Sequence, residues 1–118
     1  MKEIQGHGVA MITPFKRNGT IDFDALPVIV DHLIAGGVDY IVVLGTTAET
    51  ATLSKEEKIS LVDHIIDANS GRLPLVLGLG GNHTLELLEM LEWFDLSAFS
   101  ALLSVSPYYN KPNQEGLY

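Results

Sequence analysis

Apolar positions along this chain follow two alternating rhythms. Short β-rich runs are strand-like: "HGVAMIT" over 7–13, "YIVVL" over 40–44, "LVLGL" over 75–79 and "ALLSV" over 101–105. Between them, apolar residues recur at helical spacing. Leu26, Ile29, Val30, Leu33 and Ile34 fall at i, i+3, i+4, i+7 and i+8, and Ile59, Val62, Ile65 and Ile66 form a second stripe. Pro27 is tolerated only in a first turn, so the first helix is predicted to begin near Asp24, and Gly36-Gly37 ends it. Ser54-Lys55-Glu56-Glu57 spells a capping box, opening a helix that stops near Gly71. Thr84 is the expected cap of a third helix reaching about Asp95, and Asn113 the cap of a fourth.

Strands lacking polar alternation are buried on both faces, as in a parallel sheet covered by helices. Two architectures suit the alternation: an open doubly wound sheet, or part of a (β/α)8 barrel. A full barrel takes about 250 residues. At 118 residues the chain supplies about half of one, with two strand edges bare. The expectation is therefore a piece of a larger barrel, residues 1–118 forming its N-terminal half as a single unit.

Composition narrows the function. A hydrophobic fraction of 47% marks a chain with a core. The absence of cysteine excludes disulfides, thiolate metal sites and a thiol nucleophile, and is compatible with a cytoplasmic location. Seven scattered Lys and Arg residues and a net charge of -8 argue against nucleic acid as a partner. No apolar run approaches the ~18 residues of a membrane span, and the N-terminus has no secretory cleavage signal.

In either architecture, ligands bind at the carboxyl ends of the strands. The residues just after the four runs are Thr13 and Pro14; Gly45, Thr46, Thr47 and Glu49; Gly80, Gly81 and Asn82; and Ser106, Pro107, Tyr108, Tyr109 and Asn110. Hydroxyls and amides collected on one rim suit an anionic oxygen such as a carboxylate. Gly45 lets the backbone come close to a ligand. The bland alternatives are that Thr46-Thr47 caps a loop and that Tyr108-Tyr109 packs at a sheet end. His32 and His64 read as surface or packing residues, and His7 and His83 have no second histidine at metal-ligand spacing. "GLGGN" lacks the Walker lysine and the dinucleotide spacing. Asp31, Asp63 and Glu89 read as solvated helix faces, and Lys55 and Lys58 as surface pairing.

"GTTAETATLS" followed by "SPYYNKPNQEGLY" closely resembles the dihydrodipicolinate synthase family of pyruvate-dependent class I aldolases, which also contains N-acetylneuraminate lyase. The likeness is colinear from "GVAMITPF" to the final tyrosine, Tyr118. It implies a (β/α)8 TIM barrel. It also implies a reaction in which pyruvate forms a Schiff base with a lysine, becomes an enamine and attacks L-aspartate 4-semialdehyde, on the route to diaminopimelate and lysine. No cofactor or metal is implied. By position, Thr46 matches the relay hydroxyl and Thr47 the pyruvate-carboxylate contact. Tyr109 matches a relay tyrosine that reaches across a dimer interface, which implies a homotetramer built as a dimer of dimers. Ala51, Leu53, Asn82, Glu86 and Tyr108 match a regulatory lysine-binding pocket.

The family's Schiff-base lysine comes from a later strand. Such an amine must be desolvated to be neutral, and Lys2, Lys16, Lys55, Lys58 and Lys111 all read as peripheral or loop residues. The 118 residues alone are therefore expected to be inactive. The chain departs from the family at Ala48, where glycine is usual, and at Thr50, where serine is. A Cβ at position 48 requires a backbone that avoids positive φ. Lys55 and Lys58, standing where lysine-sensitive members can carry histidine, predict insensitivity to that cationic effector. Two other readings fit: a different aldolase of the family, such as a sialic-acid or keto-deoxy-sugar lyase, or a non-catalytic half-barrel module.

Overall fold

The computed structural model describes residues 3–117; Lys2 and Tyr118 lie outside the described residues. Four strands, β1 (Gly8–Ala10), β2 (Tyr40–Val43), β3 (Leu75–Gly78) and β4 (Ala101–Leu103), alternate with helices α1 (Ala25–Ala35), α2 (Lys55–Asn69), α3 (Thr84–Met90) and α4 (Gln114–Leu117). All neighbours pair in parallel in the order β1-β2-β3-β4, with Val9 opposite Ile41, Val43 opposite Leu77, and Leu77 opposite Leu102. That order decides between the two architectures. A doubly wound sheet reverses its strand order at a switch point. This one advances by one strand at every crossover, as a barrel does.

Alternation along the strands separates the two faces. Ile41, Val43, Leu75 and Leu77 point to the helices and join one core with Leu26 and Val30 of α1 and Leu61, Val62 and Ile65 of α2. Burying each such side chain contributes about 1.5–3 kcal/mol. Val42 and Val76, on the other face, are buried but lie outside that cluster. The edge strand β4 is less covered, with Leu102 and Leu103 exposed.

The helix ends follow local chemistry. α1 begins after Asp24, as Pro27 requires, and ends in a Schellman arrangement: Gly37 at φ +85° donates to Ile34 O and Val38 donates to Leu33 O. The capping box of α2 is complete, with Glu57 N donating to Ser54 Oγ and Ser54 N to Glu57 Oε1. Asn113 Oδ1 accepts from Gly116 N at the start of α4.

Three expectations need correction. The strands are shorter than the apolar runs, β2 ending at Val43 because Leu44 turns to φ +58°. α3 is capped by His83, whose Nδ1 accepts from Glu86 N, with Thr84 the first helical residue. It ends at Met90, five residues early, because Glu92 and Trp93 donate to Glu89 and Met90 and tighten the chain, and Phe94 turns into the core. Asp31 lies on a solvated face as expected and there makes a surface ion pair with Arg72 at 2.7 Å, while the exposed Lys55 lies over the Trp93 ring at 4.9 Å.

Candidate active site

The carboxyl ends of β2 and β3 meet at a close backbone approach. Leu44, left-handed and buried, swings its carbonyl against Gly78, where any Cβ would collide with it. A bulky residue in that conformation costs roughly 1–2 kcal/mol, so the surrounding contacts must hold it. Gly45 then runs extended (φ -72°, ψ 176°), with room for a Cβ. The glycine that the backbone demands is thus Gly78, not Gly45.

Thr46–Ala48 forms a single 3-10 turn and Thr50–Thr52 a second, joined by Glu49 at φ +58°. The left-handed position falls on Glu49, so Ala48 avoids positive φ and its methyl is buried, 2% exposed. The alanine is therefore accommodated. Thr50 is accommodated too: its hydroxyl lies 2.7 Å from Gly45 O and 3.1 Å from Leu44 O and donates to them. Thr13, 4% exposed, donates its hydroxyl to Ala48 O at 2.7 Å. Thr46 and Thr47 are exposed, and among the described residues their hydroxyls have no hydrogen-bond partner.

The loop after β4 is held differently. Tyr109 N donates to Asn82 Oδ1 at 2.9 Å, tying it to the loop after β3. The Tyr109 side chain is 83% exposed, and Lys111 sits at φ +45°. Asn82 and Tyr109 are thereby brought together, while no hydrogen bond joins Tyr109 to Thr46 or Thr47. Among the effector-pocket candidates, Ala51, Glu86 and Tyr108 are exposed and Leu53 is part of the core. Lys16, Lys55 and Lys111 are exposed and Lys58 is half-buried, so no described lysine is desolvated.

Two hollows lie elsewhere. One, of about 540 Å³, opens at the opposite rim among Asn69, Pro74 and Phe99; another, of about 430 Å³, lies between β1 and α1. The buried Asn69 that borders the first is satisfied by both backbone groups of Leu73, which marks it as structural. Among the described residues no group of three His, Asp or Glu could hold a metal ion, and no helix is long and apolar enough to cross a membrane.

The family model described as "Dihydrodipicolinate synthetase family" matches residues 3–118. The chain belongs to this family. A 4-hydroxy-tetrahydrodipicolinate synthase of Flavobacterium psychrophilum is 59% identical over all 118 residues, which span 40% of that relative. A crystal structure of a dihydrodipicolinate synthase from Bacillus anthracis superposes with a TM-score of 0.92 at 40% identity, covering 100% of this chain and 40% of that one. A chloride-inhibited dihydrodipicolinate synthase from Acinetobacter baumannii complexed with pyruvate gives a TM-score of 0.91 at 41% identity, covering 98% and 40%. The chain thus spans about 40% of the length of the curated relatives it matches. Its four parallel strands and alternating helices are the half-barrel part of the family's (β/α)8 fold.

Within the family, the turn chemistry was legible but its support was not. Gly78, Thr13 and Thr50 carry no signal as supporting residues until β1, β2 and β3 lie side by side. The nearest sequence signal for Thr13 is a hydroxyl followed by proline at a strand end.

Proposed function

We propose that this chain contributes the N-terminal half of a single barrel domain with 4-hydroxy-tetrahydrodipicolinate synthase activity. The observation that carries the reading is the pair of Thr46 and Thr47 hydroxyls, exposed and unengaged among the described residues, on a turn fixed at the carboxyl end of β2. Thr47, by side chain and amide, binds the carboxylate of pyruvate. A lysine from sequence beyond these 118 residues condenses with the keto carbon, releasing water. Loss of a methyl proton gives the enamine, whose carbon attacks the aldehyde of aspartate semialdehyde, and Thr46 and Tyr109 relay protons. Support comes from the relatives' names, from the pyruvate complex of the Acinetobacter baumannii relative and from the lack of a desolvated lysine among the described residues. The free Tyr109 side chain fits a role in a neighbouring subunit's site, and hence a homotetramer of two dimers acting in the cytoplasm. Lys55 and Lys58 favour insensitivity to lysine.

The test joins these 118 residues to the remaining portion of the Flavobacterium psychrophilum relative. The chimera should condense pyruvate with aspartate semialdehyde, and borohydride should trap pyruvate on a lysine of the appended portion. The 118-residue chain by itself should show neither property. An inactive but folded chimera, or an adduct on the short chain, overturns the proposal.

A further inference from the structure

The threonines of this rim divide into two groups. Among the described residues Thr46 and Thr47 leave their hydroxyls free, whereas Thr13 and Thr50 direct theirs into backbone carbonyls of the same turn. The geometry points to Thr13 and Thr50 as positioning residues: one clamps each end of the 45–48 turn, so that Thr46 and Thr47 meet a ligand carboxylate already arranged.

The need for such clamps follows from the backbone. Where Leu44 turns left-handed the chain leaves the sheet, and its carbonyl and that of Gly45 lose the ladder as a source of donors. The Thr50 hydroxyl lies within reach of both, 3.1 and 2.7 Å away. At the other end Ala48 is buried, so water does not serve its carbonyl, and the Thr13 hydroxyl does. This second bond spans 35 residues and ties the turn to the end of β1. The turn's own bonds, Ala48 N to Gly45 O and Glu49 N to Thr46 O, are then held between two fixed points. A site fixed before binding avoids the entropic cost of ordering its donors on the ligand.

The assignment of these clamps to ligand positioning rests on the proposed function, so the experiment has two arms. In the 118-residue chain, Thr13→Val keeps the shape and removes the hydroxyl. Amide exchange at Ala48 and Glu49 should accelerate about 10-fold, the loss expected when a buried carbonyl is left without its donor. Thr13→Ser should restore the slow rate, while the amides of β3 and of the capping box should not change in either variant. Unchanged exchange at Ala48 and Glu49 overturns the clamp. In the chimera, Thr13→Val should raise KM for pyruvate about 10-fold with a smaller change in kcat and none in KM for the aldehyde, again restored by serine. Equal losses in every parameter, or none, overturn the positioning role. If the unmodified chimera is itself inactive, the proposed function fails, and the exchange arm still decides the clamp.

Discussion

The loops after β2 and β4 both carry candidate site residues, yet they are built in opposite ways. The β2 loop is closed by its own 3-10 turns, by two threonine hydroxyls and by the Leu44–Gly78 approach. Among the described residues the β4 loop is tied to the β3 loop by the bond from Tyr109 N to Asn82 Oδ1, and the Tyr109 ring stands in solvent. The difference teaches where preorganisation is local. A turn that presents two adjacent threonine hydroxyls can be fixed by neighbouring strands alone. The Tyr109 ring, in the loop after the edge strand β4, has no such support among the described residues.

The strongest way to break this contrast is at the strand crossing. Gly78→Ala drives a methyl into the Leu44 carbonyl, a backbone atom that cannot rotate aside. It should cost about 3 kcal/mol in urea unfolding, the upper end of overpacking. A cost below about 1 kcal/mol would mean that the approach is looser than the geometry indicates. A moderate contrast comes from the two hydrogen-bonding side chains. Thr50→Val removes the hydroxyl shared by the Leu44 and Gly45 carbonyls, leaving Gly45 O with the Ala48 amide alone, and should lose about 1–2 kcal/mol. Asn82→Ala removes one exposed bond and should stay within about 0.5 kcal/mol. Its visible effect is faster exchange at the Tyr109 amide. Equal losses for the two substitutions would erase the distinction between the loops.

The smallest effect lies at the opposite rim and serves as a control for both loops. The Ser97 hydroxyl and then the Ser97 amide hold the Asp95 carboxyl below the ordinary carboxylate value. Because the folded value is depressed, the contribution is present at neutral pH, and it disappears as pH falls through that value, below about 4. An NMR titration should place Asp95 below its usual midpoint, and Ser97→Ala should return it upward without altering the Thr46–Thr47 turn.

How much the sequence reveals follows the same divide. The capping box at Ser54, the Pro27 limit on α1 and the Asn113 cap depend on residues within one helical turn of each other, and all three were legible. The end of α3 was not, because apolar spacing continues to Trp93 and Phe94 while the chain turns early to bury Phe94. The His83 cap was missed because imidazole is not among the usual capping side chains. Thr46 and Thr47 were found from their place after a strand; whether their hydroxyls would be free was not knowable from spacing.

Local order was therefore written in the chain: alternating strands and helices, the caps that bound them, and a polar rim at the strand ends. Those features depend on periodicity and on neighbours a few residues apart. Only the folded sheet decided the rest. It chose a singly wound order over a doubly wound one, made glycine necessary at position 78, and set Thr13 against a carbonyl 35 residues away. Contacts of that kind arise when β1, β2 and β3 come within hydrogen-bonding distance, and no pattern along a single segment encodes them.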